Sequence, residues 1–198
     1  MPLFDLVYPV EPAPMYPQRS VDAPGAQHSR TSVSELLPLV KPSGLVYGRA
    51  QRAWCHNSEE GRKHLHPIVH LQLLDPLGRF YLQKRSADRP LWPGLWDGAV
   101  GGHVTYGEQI LEALFREAAE EIGLVNFTPV FVDTHIFEER ELIATFALVG
   151  HPDLHPSNAE VTEGRWWTQE EIAAGRDRLT PGFLTEYALL RDALLALI

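Results

Sequence analysis

The chain has 198 residues, 44% of them hydrophobic, and a formal net charge of -9. That composition suits one ordinary globular domain with a full apolar core and leaves little room for a second. The acidic balance excludes a protein that holds a nucleic-acid duplex by counterion release; the single cysteine, Cys55, excludes an internal disulfide, and no run approaches the roughly 18 apolar residues of a membrane span.

Residues 1–34 carry Pro2, Pro9, Pro12, Pro14, Pro17 and Pro24 among Ser, Gln and Gly. Proline locks φ and removes a donor, so this tract is expected to be an extended arm without a catalytic role, ahead of a single domain at 35–198. Its short apolar piece, Leu3 to Tyr8, can dock on the body or on a partner subunit. The amino terminus lacks a charged segment leading into an apolar stretch and a cleavage site, so the expected compartment is the cytoplasm.

From Leu36 to Ala50 the pattern predicts a hairpin turning at Pro42-Ser43-Gly44. His66 to Leu74 and Arg79 to Arg85 predict two further strands around the turn Asp75-Pro76-Leu77-Gly78. Pro90 to Gly102 packs Trp92, Trp96 and several glycines into a loop and short strand. Beyond a central helix, Thr128–Phe137 and Glu139–Val149 predict strands, and 151–163 a polar loop. A short strand is expected at Trp166-Trp167, and a capping box at Thr168-Gln169-Glu170-Glu171 opens a brief helix. Phe183 to Ile198 predicts an amphipathic terminal helix. Strands in sequence with one helix inserted and another at the end point to an α+β chain, a mixed sheet between helices in an α/β/α sandwich.

The central helix holds the chemistry. Ile110, Leu111, Leu114, Phe115, Ala118 and Ile122 recur at helical spacing and Gly123 stops the run. At about 100° per residue from Ile110, the apolar residues cover roughly 0° to 140° while Glu117, Glu120 and Glu121 span roughly 280° to 20°. The three acids share a face, and Glu121 sits at the margin of the buried stripe, where an ionised carboxylate is costly unless paired or bound to a cation. Two readings follow: a solvated charged face with Arg116 pairing Glu120 one turn on, or a cradle aiming oxygen ligands at hard divalent ions.

Gly102, five residues, Glu108, seven residues, Arg116-Glu117, Ala118, one residue, Glu120-Glu121, one residue, Gly123 and Leu124 resembles the complete signature of the Nudix hydrolases. The resemblance implies the Nudix fold and hydrolysis of a diphosphate linked to another moiety, with Mg2+ or Mn2+ as cofactor. Glu117, Glu120 and Glu121 match the family's metal-binding glutamates, and Arg116 the arginine that orients one of them. The family's base varies in position, so Glu120 or Glu121 competes with Glu139, Glu141, Glu160 and Glu163. Glu141 is favoured as a further metal ligand and Glu160 as a base from outside the signature.

A wider resemblance, over about residues 36–190, includes Leu37-Pro38-Leu39-Val40, Arg52, His56, His66, Lys84-Arg85-Ser86, Trp92-Pro93-Gly94, Gly101-Gly102-His103 and Thr180-Pro181. It is similar to the branch containing isopentenyl-diphosphate isomerases and their hydrolase relatives. It implies diphosphate-holding roles for Arg52, Lys84 and Arg89, and a second metal site at His56, His66 and His103 with Glu139 and Glu141. Gly101 stands where the isomerase keeps its catalytic cysteine, and Gly182-Phe183 where it keeps a carbocation-stabilising tryptophan. Hydrolysis of a nucleoside diphosphate derivative is therefore the leading expectation. Isomerisation, or a non-catalytic nucleotide-sensing module, is the alternative. The expected partner is a small-molecule diphosphate, with a homodimer open to the chain.

Overall fold

The computed structural model describes residues 5–17, 35–89, 91–138, 140–156 and 161–198. In chain order the elements are β1 (Met15–Tyr16), β2 (Leu36–Val40), β3 (Val46–Gln51), α1 (Arg52–Asn57), β4 (His66–Leu74), β5 (Phe80–Arg85), β6 (Trp96–Asp97), β7 (Val100–His103), α2 (Ile110–Ile122), β8 (Val130–Phe137), β9 (Glu141–Val149), β10 (Val161–Trp167), α3 (Gln169–Ala174) and α4 (Pro181–Leu195). A three-stranded sheet runs β1-β3-β2, and a seven-stranded sheet runs β10-β5-β4-β9-β8, with β6 on β5 and β7 on β4. The chain is α+β, as expected. No helix among the described residues is long and apolar enough to cross a membrane.

The described residues of Met1–Ile68, His103–Ala113 and Thr134–Ile143 form one compact unit. Its hairpin pairs β2 antiparallel with β3, while β1 lies parallel to β3. Leu37, Leu39, Ala50 and Cys55 make its small core, with Tyr16, Tyr47 and Trp54 packed against them. The described part of the proline-rich arm docks on this same unit. The Leu6 N–H donates to Gln109 Oε1 at 2.9 Å, the Tyr8 hydroxyl to the Glu108 carbonyl at 2.8 Å and the Ala13 N–H to the Tyr106 hydroxyl at 2.8 Å. Leu6 and Ala13 are buried, so apolar contact as well as hydrogen bonding holds the arm down.

Val69–Gly102, Leu114–Asp133 and Ala144–Ile198 form the other unit. Its core gathers Leu74, Phe80, Leu82, Trp96, Trp167, Ile172, Phe183, Leu190 and Leu194 from strands and terminal helices. Residues 161–163, expected in a loop, belong to β10, which pairs antiparallel with β5 through Glu163–Lys84, Gly164–Gln83 and Arg165–Leu82. A polar stretch with no alternation takes strand form because its neighbour supplies the ladder of backbone bonds. Thr168 caps α3 with both halves of the expected capping box: its hydroxyl accepts the Glu171 N–H, and the Glu171 carboxylate accepts the Thr168 N–H.

Along α2, Ile110, Ala113, Leu114, Ala118 and Ile122 are buried, whereas Leu111 and Phe115 are exposed; Phe115 packs edge-on against Phe127 instead. The buried stripe is narrower than the sequence pattern. The helix stops at Gly123, whose φ of 65° is the left-handed turn glycine takes without strain. There the Gly123 N–H reaches the Ala119 carbonyl at 3.2 Å and the Leu124 N–H the Ala118 carbonyl at 3.0 Å. Removing the α3 cap by Thr168→Ala should lower stability by about 1 kcal/mol, read as a shifted urea midpoint with an unchanged slope.

Candidate active site

Two glycines on β7 organise the acidic helix face. A Cβ on Gly102 would overlap the carboxyl group of Glu117, so only glycine admits that carboxylate against the strand backbone. Glu121 Oε2 accepts the Gly101 N–H at 3.1 Å and Gln83 Nε2 at 2.9 Å, and the residue is 7% exposed. Arg116 lies beside them and donates through one nitrogen to Glu117 Oε1 at 2.7 Å and Glu120 Oε2 at 3.4 Å. Glu120 itself is exposed. Of the three acids read as sharing a face, two are seated on β7 and one opens to water.

The partners that hold the Glu117 and Glu121 carboxylates fix their direction. Gln83 is a neutral donor from β5 that reaches Glu121. A buried amide directly after the apolar run Phe80-Tyr81-Leu82 is the sign that could have marked it, since burying it unpaired is costly.

In the unit that contains α1, three imidazoles converge. His56 Nε2 and His103 Nε2 are 2.9 Å apart, the His66 and His103 rings stack at 5.4 Å, and one nitrogen from each of the three lies within 4.8 Å of the others. His66 is fully buried, and neither ring nitrogen makes a hydrogen bond of acceptable geometry. Burial, reinforced by Arg52, Arg140 and Arg62, pushes His56 down to about 4; burial, with His56 as the next cause, pushes His66 down to about 3. Both rings are therefore held neutral, the form in which imidazole binds a metal. Two of the guanidiniums are themselves paired, Arg52 with Glu35 at 3.0 Å and Arg140 with Glu138 at 2.6 Å.

The remaining predicted residues are scattered. Glu141 lies 4.0 Å from Arg140 Nε. Lys84 lines a shallow cavity with Trp96, Glu163, Arg165 and Arg178 and stands 3.8 Å from Glu163. Arg89 is half-buried just past β5. Glu160 and Glu139 lie outside the described residues. Trp96 and Phe183 are core. The Cys55 thiol is buried and pushed up to about 12, which removes it as a nucleophile.

A sequence profile described as the NUDIX domain matches residues 64–186. The uncharacterized Nudix hydrolase YfcD of Escherichia coli (strain K12) is 30% identical over 166 residues, which span 82% of this chain and 90% of that protein. An isopentenyl-diphosphate Delta-isomerase from Brevibacterium linens is 29% identical over 152 residues, covering 72% of this chain and 82% of the relative. Among solved structures, DR0079 from Deinococcus radiodurans superposes with a TM-score of 0.67 at 23% identity over 81% of this chain and 99% of that one, a likeness of fold. Enzymes of this kind generally use divalent metal ions. A filled signature on α2, two of its acids seated on β7, and a profile spanning more than half the chain lead to one assignment: the protein belongs to the Nudix hydrolase family.

Proposed function

We propose that the chain is a pyrophosphohydrolase that uses Mg2+ or Mn2+ to cleave the diphosphate linkage of a nucleoside diphosphate derivative or a similar small molecule in the cytoplasm. The observation that carries this reading is the seating of Glu117 against Gly102 and of Glu121 on the Gly101 N–H. Oxygen donors of this kind suit a hard cation. Glu117, Glu120 and Glu121 would hold it. The ion supplies charge neutralisation at the phosphate oxygens and a lowered pKa for bound water. Arg116 and Gln83 keep the carboxylates aimed, with Arg116 reaching Glu120 as well as Glu117. Lys84, Arg89 and Arg52 are candidate partners for substrate phosphates, supplying positive charge that an acidic protein otherwise lacks.

The test is a panel of nucleoside di- and triphosphates, nucleotide sugars and isopentenyl diphosphate with Mg2+, Mn2+ or EDTA. Release of phosphate or nucleotide with metal and none with EDTA is expected; no release from any compound would favour the sensing module. Glu121→Gln should cost at least about 100-fold in kcat/KM, more than the loss of an outer partner. Gly102→Ala should cut activity comparably by displacing Glu117, although the substituted position is no ligand. Full activity of that variant would remove the glycine cradle from the site.

The histidine cluster favours a second cation site. Metal–nitrogen distances of about 2.1 Å place tetrahedral ligands roughly 3.4 Å apart, so only a small closing movement is required. Without metal, His56 and His66 sit at about 4 and about 3, below the 6.5 of a free imidazole. Between those values the unfolded chain binds more protons, so stability is complete above about 6.5 and is lost as pH falls toward the folded values. The double variant H56N/H66N should flatten that acid loss in urea midpoints. Zn2+ or Mn2+ near neutral pH should raise the midpoint of the wild type and leave the variant unmoved.

A further inference from the structure

One buried polar network has no place in the mechanism above. On α4, Glu186 is 2% exposed although it lies on a helix face turned to the core. Its Oε2 meets His70 Nδ1, from β4, at 2.6 Å, and its Oε1 accepts the Thr145 hydroxyl, from β9, at 2.5 Å. Burying an ionised carboxylate is costly, and two donors from two strands compensate it. A structural contact would be served as well by an apolar side chain of similar volume.

The other edge of the His70 ring lies against the signature strand. A Cβ on Gly101 would sit 3.2 Å from Cδ2 and 3.3 Å from Nε2 of His70. The same Gly101 donates its N–H to Glu121. One residue of β7 thus has a metal-site carboxylate at its amide and an imidazole nitrogen at its α-carbon. The His70 side chain is 23% exposed, so the ring is supported from behind yet reachable by solvent and ligand.

A carboxylate only accepts, so Nδ1 carries a proton whether the ring is neutral or charged. Nε2, the nitrogen that faces Gly101, is the one that gains and loses a proton. We propose that His70 is a catalytic residue of diphosphate hydrolysis, exchanging a proton through Nε2 with the water that attacks a phosphate bound beside Gly101, and that Glu186, anchored by Thr145, is its positioning residue. This rests on the hydrolase reading above. As the water oxygen bonds to phosphorus, Nε2 takes the water's proton. The bond from phosphorus to the leaving oxygen breaks with its electron pair, and the imidazolium returns its proton to that oxygen or to solvent. The charged groups around the ring include Glu186 from α4 and, through the Gly101 amide, Glu121 from α2.

The decisive experiment follows kcat against pH for wild type, H70Q, E186Q and the double variant, with Mn2+ affinity measured on each. H70Q should lower kcat by about 10²–10⁴-fold and abolish the rise in rate on the acid side, with Mn2+ affinity unchanged. E186Q, isosteric and able to keep the Thr145 bond, should lower kcat less and displace that rise, and the double variant should be no worse than H70Q. A merely structural role would move stability and leave the pH profile alone. H70Q turning over within about twofold of wild type with the same profile would overturn the proposal. If wild type hydrolyses nothing, the hydrolase reading fails by itself. The His70 contact is then read by 15N NMR with inorganic diphosphate and Mg2+. Movement of the His70 Nε2 resonance in wild type, reduced in E186Q, supports the placement, and no movement overturns it.

Discussion

The constraint on which the site depends is the absence of side chains at two consecutive positions of a short strand. An acidic helix can be aimed at a backbone only if that backbone leaves volume for carboxyl groups, and Gly101-Gly102 leaves it. Glu117 fills the space a Cβ of Gly102 would take, and Glu121 takes the amide proton of Gly101. Each contact removes a carboxylate from water at an energetic cost that the neighbouring donors offset. Carboxylates held this way cannot relax into solvent, so their direction is fixed before any ligand arrives.

Around that pair the protein uses two kinds of support. The apolar core behind β5 and α4, built on Trp96, Trp167 and Phe183, fixes the strands from which Gln83 and His70 project. Polar side chains then fix the functional groups individually: Gln83 and Arg116 for the carboxylates, Glu186 and Thr145 for His70. Packing is non-directional and sets positions to within the tolerance of a core; hydrogen bonds set the angles. The histidine cluster differs in kind. His66 is fully buried, and the neutrality of His56 and His66 comes from burial and from nearby guanidiniums.

Much of this could be read along the chain. The helix of the signature, its glycine stop, the hairpin of β2 and β3, and the capping box of α3 are local patterns whose periods and turn residues carry their own physics. So are the pairings of Arg116 with Glu120 and of Glu117 with Glu121, because residues four apart on a helix share a face whatever surrounds it. The width of the buried stripe was misjudged at Leu111 and Phe115, since periodicity says which residues align and not how far a neighbour covers them. The first part of β10, ahead of the strand expected at Trp166-Trp167, was likewise hidden, because a strand made by its partner leaves no alternation of its own.

What the sequence by itself determined is therefore the chemistry available and its local order: an acidic helical face, glycines ahead of it, and the hydrolase family to which they belong. What only the tertiary structure decided is which acids are seated and which is wet, and which distant partners hold the functional groups. Gln83 and Glu121 are 38 residues apart, Thr145 and Glu186 41, and His70 and Glu186 116. No period or motif spans such separations. They are set by sheet order and by the docking of α4, where burial makes a carboxylate without a partner too costly to keep and so selects the contacts that form.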